Sequence, residues 1–222
     1  MPTFRVRQQE VLVLKSFDFG EHMYPLLEIV KEHDRSRKAD AQRSFEDIHN
    51  ELIYEIKAPH VFVDLPVYLK QSGAVKDEVV RFSFSVINNL ERRCEYINRL
   101  SPSNPKAIPV ISSYLFKTGE TDTIQRQFEL LSGNFDRLSF RLFPPSFAVD
   151  FPVVRNVVRP DDYIIIDLDK MAPYPSPPLR PVISALKDFT GCCKILLRSA
   201  INNEIQNVNL EHGQVVIEAD NN

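Results

Sequence analysis

Eight short apolar runs, separated by stretches with helical periodicity, constrain this 222-residue chain more than any other feature. The runs are Thr3–Val6, Pro25–Val30, His60–Leu65, Ala107–Ile111, Leu138–Leu142, Tyr163–Leu168, Lys194–Leu197 and Val215–Ile217. Most are rich in Val, Ile, Leu and Phe and lack strict alternation, as suits strands covered on both faces in a parallel sheet. Polar or proline-containing segments bound each run, which favours short strands over buried helices.

The intervening stretches read as helices. Gln8–Phe17 is short, whereas Ala41–Lys57 sets Phe45, Ile48, Leu52, Ile53 and Ile56 three and four apart, an amphipathic spacing. Lys76–Leu100 is the longest, with Val79, Phe82, Val86, Leu90, Cys94 and Ile97 on one stripe. Thr121–Leu131 and Ser176–Phe189 follow, with Gly191 as a stop signal, and Ala200–Val208 is a short candidate. Pro144–Pro160, carrying four prolines, is open to helix, strand or loop.

Strand then helix, repeated, implies right-handed βαβ crossovers. The fold class expected is α/β: a compact (βα)8 TIM-barrel-like parallel barrel, one domain over residues 1–222, lacking a closing C-terminal helix. The alternative is an open doubly wound sheet, which usually carries a glycine-rich first turn. The chain has six glycines against sixteen prolines and neither GxGxxG nor a P-loop pattern.

Composition narrows the function classes. Twenty-seven basic against thirty acidic residues give a formal charge of −3, so the basic footprint of duplex-DNA binding is missing and a nucleic-acid partner is disfavoured. No apolar run approaches the ~18 residues of a membrane helix, and the Met1–Arg7 start lacks a signal core. Cys94, Cys192 and Cys193 have no CxxC spacing, which reads as a reduced, cytoplasmic chain without structural disulfides or zinc.

In a parallel barrel the functional groups stand at strand C-terminal ends. Here those ends carry Arg5 or Arg7, Glu28, Asp64, Ser112 with Ser113, Arg141, Asp167 with Asp169, Arg198 and Glu218. With 26% of the chain charged, chance would give about two charged ends in eight, although strand ends favour polar residues generally. A rim alternating arginine and carboxylate has two readings. In the functional one, Arg5, Arg141, Arg198 and Glu218 bind an anionic, phosphate-like small molecule. Glu28, Asp64 and Asp167 then serve as acid–base groups, or hold a divalent cation, in a phosphoester hydrolase. In the structural one, the signs pair across the barrel mouth and catalyse nothing.

Two segments resemble a known family. Thr3-Phe-Arg-Val-Arg-Gln-Gln-Glu10, leading through Val13-Leu-Lys15 to Tyr24-Pro-Leu-Leu-Glu-Ile29, is similar to the opening of the beta protein family of phages and bacteria. Leu138-Ser-Phe-Arg-Leu142 and Tyr163-Ile-Ile-Ile-Asp-Leu168 resemble its core strands. The resemblance places Arg5 or Arg7, Glu10 and Glu28 at matching positions and implies a barrel-like α/β fold, with occurrence beside phage–host conflict genes and no established reaction. Members usually continue past the position of Glu218. A non-catalytic interaction scaffold in defence or counter-defence is therefore the alternative function, with a protein partner or a homodimer on the edge left by the missing helix.

Overall fold

The computed structural model describes residues 1–32, 43–68, 76–100, 104–169, 171 and 176–199. Seven of the expected strands form: β1 (Thr3–Arg5), β2 (Leu26–Glu28), β3 (Val61–Asp64), β4 (Ala107–Ser112), β5 (Ser139–Leu142), β6 (Tyr163–Asp167) and β7 (Cys193–Leu197). The eighth run, 215–217, the 200–208 helix candidate and Glu218 lie outside the described residues.

The seven strands make one sheet in the order β1-β2-β3-β4-β5-β6-β7, every pair parallel. A doubly wound sheet reverses its strand order at a switch point. An unbroken sequential order with right-handed crossovers keeps all helices on one side. The doubly wound alternative is thereby excluded.

The sheet also curls. Neighbouring strands lie about 4.8 Å apart, so β3 and β6 would stand roughly 14 Å apart in a flat sheet. Yet the rings of Phe62 on β3 and Tyr163 on β6 meet edge to face at 5.1 Å. The result is a half-barrel with a concave face. Strand alternation sends Leu26, Phe62, Ile108, Val110, Ile165 and Leu197 into that concavity as one buried cluster. Leu27, Ile29, Val61, Val63, Phe140, Leu142, Ile164 and Ile166 point outward into the larger core shared with the helices. Burial on both faces explains why β2 to β6 read as continuous apolar runs; the edge strands β1 and β7 are more exposed.

Among the described residues eight helices connect the strands: α1 (Gln8–Ser16), α2 (Phe45–Glu55), α3 (Asp77–Ile87), α4 (Leu90–Asn98), α5 (Leu115–Thr118), α6 (Thr123–Leu131), α7 (Phe147–Val157) and α8 (Arg180–Lys187). The long helix expected over Lys76–Leu100 is two. Asn89 accepts a hydrogen bond from the Arg92 amide at 2.7 Å and so starts α4 anew, as asparagine does at helix N-termini. The stripe largely survives the break: Phe82, Val86, Cys94 and Ile97 join the main core cluster, while Leu90 packs with Val67, Tyr114 and Phe143. Ser44 caps α2 through the Asp47 amide at 3.1 Å, so that helix begins later than its periodicity suggests. The undecided Pro144–Pro160 segment is a 3₁₀ turn over Pro144–Ser146 followed by α7. Stacked Phe147 and Phe151 rings, 4.6 Å apart, anchor this helix although Pro152 removes one of its backbone donors.

Two predictions follow from the packing. Phe62→Ala empties a fully buried site and destabilises the fold by about 3–5 kcal/mol in denaturant titration. At the opposite end of β3 from its carboxylate, His60 Nε2 lies 2.7 Å from Arg137 Nη1. A guanidinium only donates, so this imidazole nitrogen accepts and the ring is neutral. Burial and the Arg137 charge hold its pKa below the ordinary value of 6.5. The unfolded chain therefore takes up the proton first, and stability falls as pH drops below about 6.5 toward the lower folded value. His60→Asn shows a smaller loss of melting temperature between pH 7.5 and 5 than the parent.

Candidate functional site

Register builds the site. Arg5, Glu28 and Asp64 are direct neighbours across β1, β2 and β3. On the other side Ser112 faces Arg141, and Asp167 stands two residues beyond Arg141's neighbour Ile165. By the same alternation that points Leu26, Phe62 and Val110 inward, Arg5, Glu28, Asp64, Ser112, Arg141 and Asp167 all enter the concave face above that apolar floor.

Arg141 is the hub. Its Nη1 donates to Asp64 Oδ2 at 2.7 Å, and its Nε and Nη2 both donate to Asp167 Oδ2 at 2.9 and 2.6 Å. Glu28 Oε2 lies farther off, 3.9 Å from Nη1. The span to Asp64 passes over β4, where Ser112 is small enough to leave room and donates its own hydroxyl to the same Oδ2 at 3.0 Å. Burial alone would lower the Arg141 pKa, but Asp64, Asp167 and Glu28 together raise it, so the guanidinium is permanently charged.

Asp64 and Asp167 are fully buried and filled. Asp64 Oδ1 accepts from the Leu65 amide at 2.9 Å and from Arg93 Nη2, while Oδ2 takes Ser112 and Arg141. Asp167 Oδ1 accepts from the Asp169 amide at 2.8 Å and from Ser199 Oγ at 2.7 Å, while Oδ2 takes the Arg141 fork. Each carboxylate thus uses all four of its lone-pair positions. Glu28 differs: Oε1 accepts from Arg5 Nε at 2.8 Å, and Oε2 accepts no hydrogen bond from the described residues.

The layer contains an arginine that reading strand ends alone does not find. Arg93 sits on α4, fully buried, with Nη1 donating to the carbonyls of Leu65 and Pro66 and to the Tyr114 hydroxyl. Its Nε donates to Gln127 Oε1 at 3.1 Å. Gln127, also buried, passes the bonding on to the Ser112 and Thr123 carbonyls, both at 2.9 Å. The signal was available. Arg93 is three residues after Leu90 and four before Ile97, and Gln127 is three after Ile124 and four before Leu131. Polar residues on the apolar stripe of a helix must find partners in the core.

Of the residues expected at strand ends, Arg5, Glu28, Asp64, Arg141 and Asp167 are brought together. Arg7 precedes α1 and is exposed. Arg198 makes no contact with the layer among the described residues: with Leu197 pointing into the concavity, alternation turns it to the other face, and its buried Nε has no partner there. Ser199, one residue on, takes the ring position through Asp167. Ser113 likewise faces away and donates to Asp150 at 2.6 Å. Asp169 pairs with Lys117 at 2.8 Å. Among the described residues no group of three His, Cys, Asp or Glu side chains has the arrangement of a metal site.

Three guanidinium groups, Arg5, Arg93 and Arg141, meet three carboxylates, Glu28, Asp64 and Asp167, so the layer is neutral. Removing one partner from such a buried set is severe because the others lose their compensation. Asp64→Ala is expected to cost about 3–5 kcal/mol by denaturant unfolding. In a double-mutant cycle Asp64→Ala with Arg93→Met shows strong positive coupling, the second change costing less once the first is made.

No curated protein and no solved structure matches the chain. The model of one family, described as Beta protein, matches residues 1–219. A match over nearly the whole length places this chain in the Beta protein family.

Proposed function

We propose that this Beta family protein binds an anionic, phosphate-like ligand at the strand C-terminal ends, with Arg5 as the first contact. One observation carries the reading. Arg5 is held by its Nε on Glu28 while its side chain stays 43% exposed and its two Nη groups bond to no described residue. A guanidinium steered by one edge and open along the other is prepared for two-point binding of an oxyanion. Arg141, Asp64 and Asp167 act beneath it as positioning groups that hold Glu28 and the strand ends in place.

The reaction that this arrangement suits is phosphoester hydrolysis. Glu28 is the carboxylate whose Oε2 accepts no hydrogen bond from the described residues, with Arg141 Nη1 3.9 Å away, and it is only 7% exposed, which fits it to take a proton from an attacking water. A divalent cation, were one to take part, would be held by Glu28 and would supply neutralisation of the ligand's negative charge. Closure of the half-barrel into a TIM-like barrel is part of the same proposal, whereas Arg198, turned to the other face beside the inward Leu197, is not. A second reading, a non-catalytic interaction scaffold in phage–host conflict, is favoured by the complete hydrogen bonding of Asp64 and Asp167, which leaves them no capacity for chemistry.

Thermal shift with inorganic phosphate and p-nitrophenyl phosphate separates the two. The anion-binding reading expects saturable stabilisation of the parent. Arg5→Ala stays folded and binds about 10–100-fold more weakly, the loss of a charged hydrogen bond. Glu28→Gln binds but releases no p-nitrophenolate. Absence of any shift in the parent supports the scaffold and ends the ligand proposal.

A further inference from the structure

Beside the charge layer the structure holds a cation in an aromatic box. Lys117, at the end of the single-turn helix α5, points its Nζ at three rings, with centroids 4.2 Å away for Tyr68, 4.8 Å for Phe116 and 4.9 Å for Phe143. The fourth wall is Asp169, whose Oδ2 accepts from Nζ at 2.8 Å. The lysine side chain is 9% exposed. The box is assembled from four separate parts of the chain: the segment after β3, α5, the end of β5 and the turn after β6.

Salt bridges at protein surfaces do not need such walls. Three π faces and one carboxylate around an ammonium are the arrangement that recognises alkylammonium groups, through the ring quadrupoles and one charge-assisted hydrogen bond. Two further features set the box apart from ordinary lysine packing. Asp169 adopts φ +53°, a left-handed conformation that aspartate tolerates at some cost and that aims its carboxylate back across the mouth. Its other oxygen, Oδ1, is buried without a partner among the described residues, so the carboxylate has capacity beyond the single bond to Lys117.

The box also touches the charge layer. Phe143 is shared, with Arg141 Cζ 5.6 Å from the same ring that faces Lys117. Asp169 donates its amide to Asp167. An occupant of the box is thus coupled to the hub arginine through one ring and one backbone bond.

We propose that Tyr68, Phe116, Phe143 and Asp169 form a recognition site for an alkylammonium group, which Lys117 fills from within the chain as a resident plug. A small methylated ammonium competes for the same walls, and its entry withdraws Lys117 from the mouth. This inference is independent of anion binding at Arg5, since it concerns the opposite charge and different residues.

The test uses tetramethylammonium and methylammonium chlorides, with sodium chloride at equal ionic strength as control. Lys117→Ala opens the box, and either amine then raises its melting temperature saturably, by about 3 °C at ten times the dissociation constant. Sodium chloride does not. Adding Asp169→Asn to Lys117→Ala abolishes the amine effect. In the parent, tetramethylammonium speeds acetylation of Lys117, read by mass spectrometry, at least twofold relative to sodium chloride, and this measurement stands even if the alanine variant does not fold. Equal melting shifts with amine and sodium salts, or Lys117 labelling unaffected by tetramethylammonium, overturns the proposal.

Discussion

The guanidinium of Arg141 is the tie on which the concave face depends. It reaches Asp64 two strands away on one side and Asp167 on the neighbouring strand on the other. A curled parallel sheet brings its interior side chains together faster than a flat one, and charges placed there lose most of their hydration. The structure offsets that cost by bond count rather than by exposure: each aspartate accepts four hydrogen bonds, and Arg93 enters from the helix layer to supply one of them. The apolar floor of Phe62, Ile108 and Ile165 lies below and keeps the layer dry from that side. Curl, floor and ion pairs are therefore one arrangement.

That arrangement explains why small residues occupy particular places. Ser112 sits between Asp64 and Arg141 on the intervening strand; a larger side chain there would fill the path that the guanidinium crosses. Ser199 finishes the coordination of Asp167 without adding charge. A fourth arginine at this point would leave the layer with a surplus positive charge in a buried setting, which is costly. The outward turn of Arg198 is consistent with that electrostatic limit as well as with strand alternation.

Much of this was legible in the sequence, and for identifiable reasons. Two-sided burial makes β2 to β6 continuous apolar words, and a parallel sheet places their C-terminal ends at one level, so reading strand ends retrieves Arg5, Glu28, Asp64, Arg141 and Asp167. Residues that come from helices escape such a reading. Arg93 and Gln127 are visible only when a polar residue on an apolar stripe is treated as a signal rather than as noise. The break at Asn88–Asn89 escaped because hydrophobic periodicity is continuous across it, and only the capping chemistry of Asn89 marks it. The Lys117 box was illegible for another reason. Its walls stand far apart in sequence, and neither a lone Lys nor three separate aromatic residues form a pattern until the fold assembles them.

The same geometry orders the mouth by accessibility. Asp64, Asp167 and Arg93 are sealed, Glu28 is almost so, and Arg5 is half open. From the solvent side Arg5 comes first, then Glu28 Oε2, which accepts no hydrogen bond from the described residues and lies 3.9 Å from Arg141, and the aspartates lie behind bonds already made. Pairs that satisfy one another completely hold shape, whereas a group with one committed and one open edge retains the capacity to bind. By that criterion the open hydrogen-bonding capacity of the mouth, among the described residues, lies with the Arg5–Glu28 pair on β1 and β2, and the more deeply buried groups hold the strands that carry that pair.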